Sequence, residues 1–197
     1  ANVPADFVWN VTASSTTGRR NNRVYQQSNP DANQQSASVG TYYRTLNDPR
    51  VPVVDRARVS NGTNVPQWSQ LKYTSTSSAI PAATGIEMQL LIAEADIGTA
   101  NEATTTLPTI AQMRTDGNQP AYTGTTAAEH LAEIIDQRRR ALFLTGTHWG
   151  DIIRYNITLS PAAGTTTPWG QTFGSSAGSA QCLPVPEVEF LNNPALQ

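Results

Sequence analysis

Hydrophobic and polar positions recur with a helical period only in the second half of the chain. Thr84-Gly85-Ile86-Glu87 has capping-box spacing, a hydroxyl at the N-cap and a carboxylate three residues on. Ile86, Leu90, Leu91, Ala93 and Ile97 follow, and Gly98 stops the run, which predicts a helix. Its apolar residues cover most of the circumference, so the pattern predicts a largely buried element. A second helix is predicted through Leu107, Ile110 and Met113, ending near Gly117. It starts near Thr106, because Pro108 is tolerable only in a first turn. Thr126-Ala127-Ala128-Glu129 repeats the capping-box spacing and opens the strongest helix. There Leu131, Ile134, Ile135, Arg138 and Leu142 share one stripe, and Gly146 ends the element. A short helical turn is predicted over 150–155.

Residues 1–83 show no such period. Turn clusters at 14–18, 28–33 and 60–64 separate short apolar runs at 7–9, 51–54 and 71–73, which predicts extended segments and long loops. Residues 160–181 are a Gly/Ser/Thr/Ala-rich loop relieved only by Trp169 and Phe173, and 183–189 are extended and proline-rich. The architecture expected is mainly α, with extensive irregular loops and a few short strands. It forms one domain over 1–197: loop-rich 1–83, a helical core at 84–155, and a loop and Pro-rich tail at 156–197. No fixed-period repeat occurs, although two successive helices of this length resemble one unit of a helical repeat.

Composition narrows the function. Only 14% of the 197 residues are charged, and the net charge is −2. Thr, Ser, Asn and Gln make up a third of the chain, so its hydrogen-bonding capacity is mostly uncharged. No basic stripe exists to grip nucleic acid, and no apolar run is long enough to span a membrane. The single cysteine, Cys182, has no partner for an internal disulfide. This polar, charge-poor surface points to an extracytoplasmic bacterial protein. The start at Ala1 without methionine reads as a processed or cut terminus.

Catalytic chemistry is looked for and not found. His130 is expected on the outer face of the third helix and His148 in the turn after it, neither beside a nucleophile or a second ligand at helical spacing. Asp48 and Asp55 read as turn aspartates, with loop calcium ligation the alternative. Glu87 and Glu94, seven residues apart, read as a cap and an ion-pair partner. No enzyme activity, metal or cofactor is expected. Arg138, on an apolar stripe, requires a partner, because an unpaired buried guanidinium costs several kcal/mol. Glu94 and Asp151 are the partners expected. Trp68 and Tyr73, and Trp169 and Phe173, have the aromatic and amide neighbours that sugar or partner contacts use. The alternative is that these rings plug loops onto the helices.

The stretch from Gln137 to Arg154, QRRRALFLTGTHWGDIIR, resembles the signature of the SusD/RagB family, an Arg-containing helix followed by a Gly-x-x-x-x-Asp-Leu-x-Arg turn. Leu183-Pro184-Val185-Pro186-Glu187 through Asn193-Pro194 is similar to the family's closing motif, Leu90 to Ala95 to its last repeat-type helix, and Asn47-Asp48-Pro49-Arg50-Val51-Pro52 to a turn before that helix in many members. Ala141 and Thr145 stand where the family commonly has glutamates, and His148 and Gly150 where an arginine and an aromatic are common; Arg138, Asp151 and Arg154 keep the rest of the network. The resemblance covers about the C-terminal half of a typical member, most TPR-like helices and the lipidated cysteine being absent. This chain is then a fragment, or a shortened member whose uncovered helical face meets a partner. The family's members are extracytoplasmic, non-catalytic, bind glycans or other nutrients and cap a TonB-dependent transporter. Two roles follow: first, an accessory protein docking on the outer face of a membrane protein complex; second, a glycan-binding partner of such a transporter.

Overall fold

A computed structural model describes residues 3–16, 20–28, 37–59 and 66–158. The chain divides into two compact units, Ala1–Trp149 and Gly150–Gln197. Among the described residues the elements run β1 (Val8–Val11), α1 (Arg23–Ser28), α2 (Thr41–Arg44), β2 (Val53–Val59), β3 (Pro66–Gln70), β4 (Ile80–Thr84), α3 (Gly85–Ala95), α4 (Thr106–Asp116), α5 (Ala127–Ala141) and α6 (His148–Tyr155). The mainly helical expectation with a few short strands agrees with this order. The short helices α1 and α2 were not expected, being too brief to print a period on the sequence.

The predicted helix starts form as local chemistry dictates. The Glu87 N–H donates to the Thr84 hydroxyl at 3.1 Å, capping α3. At α5 both halves of the capping box are present, Thr126 accepting from Glu129 N–H and the Glu129 carboxylate accepting from Thr126 N–H. Pro108 sits in the first turn of α4, where its missing N–H leaves no bond unmade. Gly98 and Gly146, expected as the stops, take φ of +73° and +92° in the turns that follow, while α3 and α5 themselves end earlier, at Ala95 and Ala141.

Helices α3, α4 and α5 pack around Leu90, Ala93, Ile110, Met113 and Ile134, each at most 2% exposed. Burying the leucine, isoleucine and methionine side chains contributes about 1.5–3 kcal/mol each. The Thr106 hydroxyl donates to the Ala93 carbonyl at 2.7 Å, tying the start of α4 to the end of α3. Burial of α3 is one-sided, not near-complete: Leu91 is 39% and Ile92 45% exposed. The α5 stripe is also rotated, with His130, Ile134, Gln137 and Arg138 buried. His130, expected outside, is 3% exposed and lies against Tyr122, with the ring centroids 5.8 Å apart.

The first half wraps a second cluster of Val39, Val51 and Phe143, with Tyr43, Leu46, Val53, Trp68 and Leu144 packed against it. Two antiparallel ribbons form, and the one of β2 and β3 brings Val53 and Trp68 to this cluster. Strands β2 and β3 pair Val53 with Gln70 and Asp55 with Trp68, and the register shifts between Asp55 and Val59. Strands β1 and β4 pair Val8 with Thr84 and Val11 with Ile80. No helix among the described residues is long and apolar enough to cross a membrane.

Candidate functional site

Helix α2 is a single turn that presents two consecutive tyrosines to the last turns of α5. The Tyr42 hydroxyl donates to the Asp136 carboxylate. The other oxygen of Asp136 accepts from Arg140 Nε at 2.6 Å. The Arg139 guanidinium sits over Tyr42, its Cζ 3.5 Å from the ring centroid, and its Nε–H donates to the Tyr43 hydroxyl at 3.3 Å. Tyr42 and Tyr43 meet edge to face at 4.9 Å, and Tyr43 rests on Phe143 at 4.8 Å. The buried core therefore backs the aromatic pair, and the pair backs the cation.

A second layer holds this face in place. The Arg50 fork donates to both oxygens of Asp48, at 2.9 and 2.7 Å, and its Nη2 also donates to Gln137 Oε1 at 2.9 Å. Gln137 Nε2 donates onward to Gln119 and Glu133, and Glu133 pairs with Arg114 at 2.7 Å. Arg140 approaches Asp48 at 3.7 Å. These pairings set the protonation states. Burial pushes the Asp48 carboxyl up, but the hydrogen bonds from Arg50 and the charges of Arg50 and Arg140 outweigh it and hold it below its ordinary value. Burial, then the hydrogen bond to Asp136 and its charge, push the Tyr42 phenol up despite Arg140 and Arg139, so it remains a donor. Asp48 thus serves arginines, as a turn and ion-pair residue; Asp55 is exposed on β2.

The residues expected to contact ligand fare differently. Tyr73 is corrected to an interior plug: it is 3% exposed, and its hydroxyl donates to the Leu144 carbonyl at 3.0 Å. A ring so enclosed offers no face to a sugar. Trp68 is half-buried on β3, against the second core, with the Arg44 guanidinium 5.9 Å from its ring centroid. Trp169, Phe173 and Cys182 lie outside the described residues, as does the Pro-rich closing motif. Arg138 meets Glu94 as expected, their side chains 5% and 7% exposed. Asp151 is 4% exposed on α6, and Arg154 on the same helix lies 5.2 Å from the Tyr155 ring. Among the described residues no group of three or more His, Cys, Asp or Glu is placed to hold a metal. The Tyr42, Tyr43 and Arg139 cluster was missed; its one sequence signal is adjacent tyrosines followed by Arg44.

Apolar surface is concentrated elsewhere. Phe7, Val8, Trp9 and Val11 on and before β1 are 46%, 47%, 64% and 56% exposed. A cavity of about 470 Å³ opens between α3 and α4, lined by Pro4, Met88, Ile92, Thr105, Pro108 and Met113 among others.

No family model matches the sequence, and no curated protein matches it. Solved structures do. A SusD superfamily protein from Parabacteroides distasonis superposes with a TM-score of 0.63 at 17% identity, over 96% of this chain and 48% of its own. A SusD-like carbohydrate binding protein from Bacteroides vulgatus superposes with a TM-score of 0.57 at 21% identity, over 84% of this chain and 39% of its own.

The fold is SusD-like. The chain spans about half the length, or less, of the solved proteins it matches. Three of the four SusD-like sequence stretches fall on described residues. Leu90 to Ala95 forms the second half of α3, Gln137 to Arg154 runs from α5 into α6, and Asn47 to Pro52 forms the turn that carries Asp48 and Arg50. That last turn brings the SusD-like motif residues Asp48 and Arg50 to the foot of the tyrosine–arginine face.

Proposed function

We propose that this chain is a non-catalytic, extracytoplasmic carbohydrate-binding protein, working as the glycan-binding partner of a TonB-dependent outer-membrane transporter. The observation that carries the reading is the surface cluster of Tyr42, Tyr43, Arg139, Arg140 and Asp136, set on a SusD-like fold. Sugars are held by aromatic faces together with fixed polar groups, and this cluster supplies both on one half-buried face. The carbohydrate-binding description of the Bacteroides vulgatus protein supports the same reading. A glycan array followed by calorimetry on the hits tests it. Saturable binding that weakens at least about tenfold in Tyr42→Ala is expected. An array with no binder sinks the proposal.

A second reading, an accessory subunit docking on the outer face of a membrane protein complex, is favoured by a separate observation. The β1 ribbon exposes Phe7, Val8, Trp9 and Val11 together. Crosslinking from position 11 in membranes would capture a partner that Trp9→Ser releases; no capture at all removes this reading.

A further inference from the structure

The tyrosine–arginine face holds three cations, Arg50, Arg139 and Arg140, and two carboxylates, Asp48 and Asp136. Both carboxylates are already engaged. Asp48 accepts the Arg50 fork and faces Arg140. Asp136 accepts from Tyr42 on one oxygen and from Arg140 on the other. Among the described residues Arg139 has no carboxylate partner, and its one hydrogen bond there runs from Nε to the Tyr43 hydroxyl. Its Cζ lies 3.5 Å from the Tyr42 centroid and 5.1 Å from the Tyr43 centroid. The two terminal nitrogens remain as a donor fork on a half-buried side chain. The cluster therefore keeps one uncompensated positive charge on a chain whose net charge is −2.

We propose that Arg139 receives a carboxylate, so that the glycans bound on this face carry uronic acid residues. The inference rests on the carbohydrate-binding reading above and names its ligand class. A planar guanidinium matches a carboxylate with two parallel N–H···O bonds, which an ammonium or a neutral amide cannot do. Contact with the Tyr42 ring and the hydrogen bond to the Tyr43 hydroxyl hold the fork before the ligand arrives, so little side-chain freedom is lost on binding. The hydroxyls of a neutral sugar leave the charge of Arg139 uncompensated, whereas a uronate neutralises it.

Calorimetry with three probes tests this on the whole chain: a galacturonic acid trisaccharide, its methyl ester, and the neutral galactose trisaccharide. The acid is expected to bind at least about tenfold tighter than either neutral form, a preference that shrinks as salt rises. Arg139→Met brings the acid-to-neutral ratio near one, and Arg139→Lys, which keeps the charge and loses the fork, leaves it between. Arg20→Met, an exposed arginine on another segment, removes the same charge and keeps the ratio. Equal affinity of the wild-type chain for acid and neutral probes overturns the inference and leaves the carbohydrate reading standing. So does a preference for the acid that survives Arg139→Met. Absence of binding to any saccharide overturns both.

Discussion

Arg138 of α5 donates to the Glu94 carboxylate of α3 across the helical core, and each side chain is enclosed to within 7% of full burial. The pair explains why an arginine can occupy the inner face of an otherwise apolar element. Removing one partner deletes this buried, charge-assisted contact between α3 and α5. Glu94→Gln or Arg138→Met is expected to cost about 1.5–3 kcal/mol, read from urea unfolding. The double variant Glu94→Gln/Arg138→Met should lose clearly less than the sum of the singles. Additive losses would show that the two do not act as a pair.

Lys72 is the only lysine in the chain, and burial pulls its amine down from the ordinary lysine range to about 8. The unfolded chain keeps that proton until about pH 10.4. Between these values the unfolded state binds more protons than the folded one, so stability rises with pH from about 8 to about 10. Below pH 8 both states hold the proton and the slope vanishes. Reductive ¹³C-methylation gives one lysine side-chain resonance, whose titration midpoint near 8 checks the amine directly. In Lys72→Met the rise in stability over that window should disappear.

Gly85 opens α3 where the chain before β1 crosses it. Its N–H donates to the Phe7 carbonyl at 2.8 Å, and an added Cβ would lie 1.8 Å from the Pro4 carbonyl oxygen. That obstacle is backbone and cannot swing aside. Gly85→Ala is expected to cost about 1–3 kcal/mol by displacing residues 4–7 from the helix. Loss of amide exchange protection along β1, with α5 unchanged, would localise the damage.

Tyr73 and Tyr42 separate structure from recognition. Tyr73→Phe deletes the hydrogen bond to the Leu144 carbonyl and should cost about 1–2 kcal/mol, because that carbonyl lies in a turn where Leu144 takes φ of +59°. Saccharide affinity should not move. Tyr42→Ala should do the reverse, weakening saccharide binding at least about tenfold. A Tyr73 variant that binds sugar poorly while folding normally would restore Tyr73 to the ligand surface.

Much of the helical framework was legible because its determinants are local. The caps at Thr84 and Thr126 and the proline in the first turn of α4 each act within a few residues of themselves, whereas the stops expected at Gly98 and Gly146 fall past the last helical residues, Ala95 and Ala141. The Arg138–Glu94 pair was legible for a related reason: a charge on an apolar stripe demands a counter-charge, and α3 carries one at Glu94.

What the sequence by itself determined, then, is where the rods begin, the mainly helical class and the charge-poor surface. Only the tertiary structure decided which rings and cations face outward. Tyr43 and Arg139 meet although 96 positions separate them. Tyr73 was open to two readings, a contact ring or a plug, and burial makes it the plug, while His130 looked exposed and is enclosed. The physical reason is that a period reports the angle of a side chain about its own helix, whereas burial depends on what other segments lay against it. The loops of the first half carry no period to announce where they will rest.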